Sequence, residues 1–347
     1  MRTEISIVVP FYNSAACIIR CAESLAEQTF RNFEVLFVDD CSTDNGAAEL
    51  DAYIKSRNFT DISMRIIRQD HNQGPGSARN RGMDEASGRW CGFVDADDWV
   101  EKDFIANLFV RDIRSGDVVV GGFSYDKTGV APSPRLCNSA SSRIEDIHAD
   151  VFGNAVNYSV ACARIYDMSL IRRNGIRFPT EISLHEDTVF FLTYLSSAER
   201  LVFTGKCDYH YVLGDAPSLS SRSLTPDEYV RISMALFDVW HRFLPRLTKV
   251  SLEELRPCIK RYGLSQLLQA VRAQYFTWPR DRNVRMELIK YVRTKRPLFN
   301  KYYDARSAFV RLYLIGIFNM PMSIFDGVMV FLGFVCSFMK GKERIAR

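Results

Sequence analysis

The first hundred residues alternate short, almost entirely apolar runs with longer stretches in which apolar positions recur at helical spacing. Continuous apolar runs predict strands buried on both faces, and the stretches between them predict helices that cover the strands. The predicted strands are Ile5–Pro10, Phe33–Val38, Met64–Ile67 and Trp90–Val94, and the predicted helices are Asn13–Gln28, Asn45–Arg57 and Ser77–Ala86. This alternation is typical of an α/β fold with a mostly parallel, Rossmann-like sheet and helices on both faces.

The pattern becomes more mixed after residue 115 and purely helical after about residue 222. Val118–Phe123, Leu201–Lys206 and Cys207–Val212 predict strands, Lys127–Arg143 predicts a polar loop, and a helix is predicted after Glu186-Asp187. Helical spacing then covers Tyr229–Phe243, Glu253–Phe276 and Val284–Tyr291, with breaks expected at Pro257, Pro279 and Pro297. We therefore expect an α/β domain over residues 1–222, with halves 1–115 and 116–222, and a helical C-terminal region over 223–347.

Charge is distributed unevenly between these two parts. The 347 residues are 47% hydrophobic and 25% charged, which is a globular composition, and the formal net charge is only +4. From residue 244 onward, however, Lys and Arg outnumber Asp and Glu by 20 to 7, whereas before it the ratio is 25 to 34. An acidic body with a basic, aromatic-rich tail is typical of a protein that binds a polyanion or an anionic membrane surface.

The last apolar segment, Leu312–Met339, favours the membrane surface. Asn319, Pro321 and Asp326 interrupt it, so it falls short of the roughly 20 apolar residues that span a bilayer. Cations flank it on both sides: Lys301, Arg306, Arg311, Lys340, Lys342 and Arg344. We expect helices that lie in the membrane interface, with a helical oligomer interface or a cap on the sheet as alternatives.

The N-terminus and the cysteines indicate the compartment. Met1-Arg2-Thr3-Glu4 runs directly into the first predicted strand and has no secretory signal pattern. Nine cysteines form no CxxC pair, so we expect reduced thiols and neither a disulfide framework nor a zinc site. The expected location is cytoplasmic and peripheral, at the inner face of the plasma membrane.

Polar side chains follow three of the predicted strands at their carboxyl ends. Tyr12 and Asn13 follow the first strand, Asp39 and Asp40 the second, and Asp95–Asp98 the fourth. Ligands of parallel α/β sheets bind beyond these ends. Any one of the three groups is explained by turn or helix-cap chemistry, and Asp39-Asp40 also suits an acidic phosphorylation pocket. All three together favour a ligand site.

Four motifs in order carry a family resemblance. They are IVVPFYN at residues 7–13, VDDCSTD at 38–44, NQGPGSARNRG at 72–82 and VDADD at 94–98. This set resembles glycosyltransferase family 2 of the bacterial polysaccharide type, inverting enzymes with the GT-A fold. The resemblance implies transfer of a hexose from a nucleotide-sugar, expected to be a UDP-sugar, to a lipid-linked or polysaccharide acceptor in cell-surface polysaccharide biosynthesis.

The resemblance also implies how the donor is bound. Asp40 would read the nucleobase, with Pro10, Tyr12 and Asn13 around it, and Arg79 would grip phosphate unless it forms only a surface salt bridge. Asp95-Ala96-Asp97 resembles the DxD element of the family. It implies a divalent cation, Mn²⁺ or Mg²⁺, with Asp97 as ligand and Asp95 near the ribose or the metal.

On the acceptor side, an inverting transfer needs a base opposite the departing diphosphate. Glu186-Asp187 resembles the ED element of the family, which implies Asp187 as the base and Glu186 as the acceptor-orienting residue. Acids at a helix N-terminus, favoured by the helix dipole, are the alternative reading. An arginine common in the family is replaced by Val212, and we expect His210, rather than Arg222 or a tail residue, to make the second diphosphate contact.

Two other functions remain open from the residues alone. One is a non-catalytic nucleotide-binding scaffold at the membrane surface, and the other is a phosphoacceptor signalling module. For the leading interpretation the expected partners are a sugar nucleotide, a saccharide acceptor and an anionic membrane surface. A homo-oligomer is also possible, whereas no nucleic-acid partner is indicated.

Overall fold

The computed structural model describes residues 3–57, 59–110, 112–127, 130–135, 142–146, 160–213, 226–248, 265–276, 282–302 and 308–332. The chain forms two compact units. The first comprises residues 1–222 with 245–250, and the second comprises 223–244 with 251–347. Each unit has a hydrophobic core of its own.

The first unit is built from alternating strands and helices. Its strands are β1 (Ile5–Phe11), β2 (Phe33–Asp39), β3 (Ser63–Arg68), β4 (Trp90–Phe93), β5 (Trp99–Val100), β6 (Asp117–Val120), β7 (Phe123–Lys127), β8 (Val130–Arg135), β9 (Ser142–Arg143), β10 (Arg164–Asp167), β11 (Arg200–Phe203) and β12 (Tyr209–Val212). Its helices are α1 (Ile18–Ala26), α2 (Gly46–Arg57), α3 (Pro75–Glu85), α4 (Phe104–Leu108), α5 (Met168–Asn174) and α6 (Glu186–Leu195).

Eight of the described strands form one sheet in the order β3-β2-β1-β4-β10-β6-β11-β9. The first four run parallel, and Ile5 lies opposite both Phe33 and Trp90. Every residue of β1 and β2 is buried, as expected for strands covered on both faces. The predicted α/β architecture is confirmed, and the carboxyl ends of β1, β2 and β4 meet at one edge of the sheet.

The second half of the unit departs from the expected pattern in several places. Strand β10, which no local pattern indicated, pairs antiparallel with both β4 and β6. The predicted strand Val118–Phe123 is too long at its C-terminal end, because β6 ends at Val120. Phe123 instead begins β7, which belongs to a second sheet with the strand order β5-β12-β7-β8. The predicted loop Lys127–Arg143 is also wrong, since β8 and β9 occupy parts of it.

Helix α1 has the predicted spacing of buried apolar residues but begins later than predicted. Its buried face is Ile18, Cys21, Ala22 and Leu25, the spacing of an amphipathic helix. It begins five residues later than predicted, because Asn13 adopts the left-handed region at φ +51° and a turn follows it. In that turn the N–H groups of residues 17 and 18 both donate to the carbonyl of Ser14.

The described part of the second unit is helical. It contains α7 (Pro226–Phe243), α8 (Ser265–Phe276), α9 (Arg282–Thr294), α10 (Arg296–Tyr302), α11 (Ala308–Asn319) and α12 (residues 322–332). Phe237, Val271, Leu288 and Phe325 lie in its core. Pro297 falls in the first turn of α10, where proline is tolerated. Residues 253–264, Pro257 and Pro279 lie outside the described residues. No described helix is both long and apolar enough to cross a membrane.

Candidate functional site

The loops after β1 and β2 are tied together by the side chain of Asn13. Its Oδ1 accepts hydrogen bonds from the N–H of Thr43 at 2.8 Å and of Asp44 at 3.3 Å. Its own N–H donates to the Ser42 hydroxyl at 3.0 Å. Pro10 is buried in β1 opposite Val38, whereas the Tyr12 side chain is 45% exposed beside this junction. The two loops therefore form one preorganised wall with an exposed aromatic ring.

Asp40 holds the glycine-rich loop that precedes α3. One carboxylate oxygen accepts from Gln69 Nε2 at 2.6 Å and from the Gln73 N–H at 2.8 Å, and the other accepts from the Gly74 N–H at 2.7 Å. Gly74 has φ +86°, a conformation that favours glycine. Asp40 is only 3% exposed, so its first role in the structure is to shape the loop.

Asp39 and Asp40 are both too buried to react with a phosphate donor from solution. Asp39 is fully buried, accepts a hydrogen bond from the Ser42 N–H at 2.8 Å, and lies 3.4 Å from Arg68 Nε. A phosphoacceptor carboxylate must meet its phosphate donor in solution. The phosphoacceptor alternative therefore finds no support at these residues.

Helix α3 lies close against β1 and carries the central side chains of the site. A Cβ at Gly82 would lie 2.3 Å from Val8 Cγ1, so only glycine allows this approach. Two residues earlier in the helix, Asn80 exchanges hydrogen bonds with the backbone of Phe178, from Nδ2 to the carbonyl at 2.9 Å and from the N–H to Oδ1 at 3.0 Å. Asn80, which was not a predicted site residue, thus fixes α3 to the segment that leads to α6.

Arg79 joins carboxylates from three positions in the sequence. Its Nη2 donates to Asp95 Oδ1 at 2.8 Å, and its Nη1 lies 3.2 Å from Glu186 Oε1 and 3.0 Å from Asp187 Oδ1. The residue is 5% exposed, and its guanidinium lies over the Phe178 ring at 5.4 Å. Arg79 was expected to grip phosphate or to form a surface salt bridge. The structure places it in a buried cluster of three ion pairs, which excludes the surface salt bridge, while the phosphate contact stays a prediction.

Asp187 is the most perturbed acid of this cluster. Burial, followed by the charges of Glu186 and Asp95, raises its pKa to about 7 despite the opposing charge of Arg79. Its Oδ2 accepts a hydrogen bond from the Ala161 N–H at 3.3 Å, whereas its buried Oδ1 has the ion pair but no directed hydrogen bond. A carboxylate of this kind has a free lone pair and a proton affinity suited to neutral pH. Such properties are typical of a general base.

Asp95 and Asp97 lie in the turn after β4 and offer oxygen ligands. Asp97 is an exposed residue of this turn, but the protein around its carboxylate still removes part of the water that would solvate the charge. Burial and the charge of Asp95 raise the pKa of Asp97, which shows that the turn holds its negative charge at a cost. A hard divalent cation would remove this cost. The described residues contain no cluster of three or more His, Cys, Asp or Glu side chains suited to a metal. Magnesium-like cations are often held by one or two carboxylates together with phosphates of the substrate, and Asp95 and Asp97 could supply such carboxylates.

The same turn is held from behind by Asp98 and Tyr209. The Tyr209 hydroxyl donates to Asp98 Oδ2 at 2.5 Å and accepts from the Asp95 N–H at 3.1 Å, while the Val212 N–H donates to Asp98 Oδ1 at 2.8 Å. Burial, followed by the charges of Asp95 and Asp97, raises the pKa of Asp98 to about 8. Strand β12 thus fixes the geometry of the turn at residues 95–98, which is the candidate metal site.

The His210 side chain contacts Trp99 and Glu101 in the structure, whereas we expected it to contact the diphosphate. Its ring stacks on Trp99 with centroids 3.6 Å apart, and its Nε2 lies 2.9 Å from Glu101 Oε1. These contacts join β12 to β5 and the residue that follows β5. The predicted diphosphate contact would have to use the buried Nδ1. Arg222, the other candidate, lies outside the described residues.

The Tyr209 hydroxyl allows a direct test of this support. Tyr209→Phe leaves the Asp95 N–H and Asp98 Oδ2 without their partner, so we expect a loss of about 1–3 kcal/mol in the free energy of unfolding. We also expect weaker Mn²⁺ binding, by about 10- to 100-fold, since loss of an outer-shell contact has this effect at metal sites. Denaturant unfolding and electron paramagnetic resonance titration of Mn²⁺ measure the two effects.

Tyr211→Phe is the comparison on the same strand: the charges of Asp98, Asp95 and Asp97 also act on the Tyr211 hydroxyl, but no described hydrogen bond joins it to the turn. This variant should change neither quantity. Equal Mn²⁺ binding by the two variants would show that Tyr209 does not position the turn.

Comparisons with known proteins identify glycosyltransferases. Residues 6–176 match the family model for Glycosyl transferase family 2. The chain is 28% identical over 234 residues to the poly(ribitol-phosphate) beta-N-acetylglucosaminyltransferase TarS of Staphylococcus aureus, covering 66% of this chain and 39% of TarS. It is 25% identical over 290 residues to the poly(ribitol-phosphate) beta-glucosyltransferase of Bacillus spizizenii, covering 82% and 42%. The chain thus spans about two fifths of the length of these relatives.

Solved structures show the same fold. Residues 1–349 of S. aureus TarS, in complex with UDP-GlcNAc, match with a TM-score of 0.59 and 22% identity over 91% of this chain and 89% of that chain. The mannosyltransferase PcManGT from Pyrobaculum calidifontis, in complex with GDP-Man and Mn²⁺, matches with a TM-score of 0.50 and 18% identity over 96% and 88%. By its motifs and its match to the family model, the domain over residues 6–176 belongs to glycosyltransferase family 2, and the chain has a GT-A-like fold.

Proposed function

We propose that this protein is an inverting, metal-dependent glycosyltransferase. It transfers a hexose from a UDP-sugar to a lipid-linked or polysaccharide acceptor in cell-surface polysaccharide biosynthesis, at the inner face of the plasma membrane. The names of two relatives specify poly(ribitol-phosphate) as the acceptor and N-acetylglucosamine or glucose as the sugar. Such a polymer is therefore the first acceptor to test.

One observation carries this proposal: Arg79 brings a donor-side and an acceptor-side carboxylate into the same buried cluster. Asp95 follows β4 and Asp187 lies in the first turn of α6, 92 positions later in the sequence, and both are within 3.0 Å of the same guanidinium. A purely structural acidic helix N-terminus would not require this partner. A transferase requires that the two groups flank one reacting centre.

Asp187 acts as the base in this proposal. The acceptor hydroxyl oxygen forms the new bond to the anomeric carbon while its proton passes to Asp187, and the bond to the nucleoside diphosphate breaks on the opposite face of the sugar. Glu186, held by Arg79, orients the acceptor. Arg79 then serves to position both acids, because its terminal nitrogens are already engaged with carboxylates.

The donor occupies the crevice beyond β1, β2 and β4. Tyr12 and Asn13 line the nucleobase pocket together with Pro10, and Asp40 contributes through the loop that it shapes. Asp97 and Asp95 would hold Mn²⁺ or Mg²⁺, which supplies positive charge to the diphosphate. The solved relatives support a sugar nucleotide of this general kind, since their complexes contain UDP-GlcNAc in one case and GDP-Man with Mn²⁺ in the other.

The raised pKa of Asp187 predicts the pH dependence of transfer. The base must be deprotonated, and its pKa of about 7 means that kcat/KM should rise about tenfold per pH unit below neutrality and level off above it. An unshifted aspartate would give a flat profile above pH ~5. Initial rates between mildly acidic and mildly alkaline pH check this, with UDP affinity measured in parallel to show that donor binding does not cause the slope. A flat kcat/KM profile would exclude Asp187 as the titrating base.

A donor panel tests the proposed activity. The protein is incubated with Mn²⁺, poly(ribitol-phosphate) and UDP-GlcNAc, UDP-glucose or GDP-mannose in turn, and the released nucleotide is measured. We expect acceptor-dependent UDP release from at least one UDP-sugar. A protein that binds UDP but releases none from a broader panel of sugars and acceptors would be the scaffold alternative, and one that binds no UDP would contradict the proposal altogether.

A further inference from the structure

Helices α11 and α12 form a hairpin that exposes large apolar side chains. Six such residues on the hairpin are between 37% and 69% exposed: Leu312, Ile315, Ile324, Val328, Phe331 and Leu332. Outside the hairpin, only two other described large hydrophobic residues, Tyr12 and Leu213, are comparably exposed. We call these six residues the hairpin face.

The side chains of the hairpin face are different from those that the two helices contribute to the core of the second unit. Ile317, Phe325 and Met329, on the opposite sides of the same helices, are at most 4% exposed and belong to the core of the second unit. Residues 324, 328 and 331 recur at helical spacing, so α12 has a second apolar stripe beyond the one that the core uses. Exposed large apolar side chains that are grouped on one element of the fold mark an interaction site.

The hairpin is firmly held behind this face. Arg285 Nε donates to Asp326 Oδ1 at 2.7 Å, and the Tyr275 hydroxyl donates to the same oxygen at 2.9 Å. Arg293 donates to the carbonyls of Ile317 and Met320 at the turn between the helices. The apolar side chains are therefore displayed by an anchored element of the fold.

Charge identifies the kind of surface that the hairpin face fits. Within residues 308–332 the charged residues are Arg311, which is exposed, and Asp326, which is buried against Arg285. From Lys295 to the end of the chain, nine Lys or Arg accompany three Asp or Glu, one of which is Asp326. In the sequence, cations thus outnumber acids on both sides of the apolar segment. An apolar segment within a cationic stretch of chain matches an anionic lipid surface, where apolar side chains enter the interface and cations meet the headgroups. A second copy of the chain would carry the same excess of cations, so charge does not favour self-association through this segment.

We propose that the hairpin face docks this protein onto the surface of an anionic lipid bilayer. Leu312, Ile315 and Phe331 enter the headgroup region, and Arg311 binds the anionic headgroups. Docking would keep the protein at the surface where lipid-linked acceptors are found, but it does not depend on the chemistry of the transfer site.

Vesicle co-sedimentation of the full chain tests this. We expect binding to vesicles that contain phosphatidylglycerol, weaker binding at high salt, and little binding to pure phosphatidylcholine. The double variant Leu312→Ser/Phe331→Ser keeps the charge and removes apolar surface, so it should bind at least about tenfold more weakly. Leu213→Ser, which removes an exposed apolar residue in the first unit, is the matched control and should bind like the parent chain.

Three results would overturn the proposal: a parent chain that stays in the supernatant at low salt, a double variant that binds as well as the parent, or a double variant that changes only the oligomeric state in light scattering. The last would show that the face joins copies of the chain. Circular dichroism and UDP calorimetry on the double variant establish that it is folded and that the donor site is intact. Failure of docking is thereby distinguished from failure of the proposed glycosyl transfer.

Discussion

Asp187→Asn is expected to lower kcat for glycosyl transfer by about 10²- to 10⁴-fold, the range that a positioned general base supplies. The amide keeps the shape of the side chain but cannot take the proton of the acceptor hydroxyl. Because Asp187 is an acceptor-side group, the affinity for UDP should change little. Steady-state transfer rates and UDP calorimetry on the same preparation measure the two properties.

Asp84→Asn is the control for this substitution. Asp84 lies on α3 outside the site and pairs with the exposed Arg177 at 2.5 Å, so the same chemical change there should leave transfer intact. If Asp187→Asn retains transfer close to that of Asp84→Asn, Asp187 is not the base, and the acids of α6 serve only the helix N-terminus.

Arg79→Met is expected to reduce the free energy of unfolding by about 3–5 kcal/mol near neutral pH, as breaking a buried ion-pair cluster does. Asp95, Glu186 and Asp187 would be left without their shared cation, and the folded-state pKa of Asp187, which is already raised to about 7, would rise further without the opposing charge of Arg79. An acid whose pKa is higher in the folded state than in the unfolded state lowers the free energy of unfolding when it is ionised. This loss disappears at a pH where the acid is protonated in both states. The deficit should therefore shrink as the pH falls towards 5 and grow as it rises. Urea unfolding at several pH values measures this.

Arg81→Met provides the comparison on the same helix. Arg81 is about half exposed and pairs with Glu85 one turn later, and such exposed pairs contribute little, so its loss should change the unfolding free energy by at most about 0.5–1 kcal/mol. Equal stability losses for the two variants, or a pH-independent loss for Arg79→Met, would contradict the buried cluster as the source of the effect.

The parallel half of the fold was predictable from the sequence because its signals are local. The strands containing Val8 and Val35 are almost entirely apolar, which is typical of strands covered on both faces. Strand β10 gave no such signal, since its four residues include Arg164 and Asp167. Strand β8 contains two prolines, which are unfavourable in strands, and its sequence therefore resembles a loop.

The members of the candidate site were largely predictable from motifs, whereas their contacts were not. Motifs name Arg79, Asp95 and Asp187, but no local pattern reveals that one guanidinium pairs with acids 16 and 108 positions away. Tyr209 and Asn80 were missed because their partners are distant in sequence and their residue types are common in strands and helices. The conformation of the intervening chain decides such contacts.

The central claim is that the turn after β4 binds a nucleoside diphosphate together with a divalent cation. Calorimetric titration of UDP in the presence of Mn²⁺ tests it most directly, with the parent protein and Asp97→Asn compared under identical conditions. We predict that the parent binds UDP more tightly with Mn²⁺ than without it, and that Asp97→Asn loses this Mn²⁺-dependent gain. Absence of UDP binding by the parent, or an equal Mn²⁺ effect in both proteins, would contradict it.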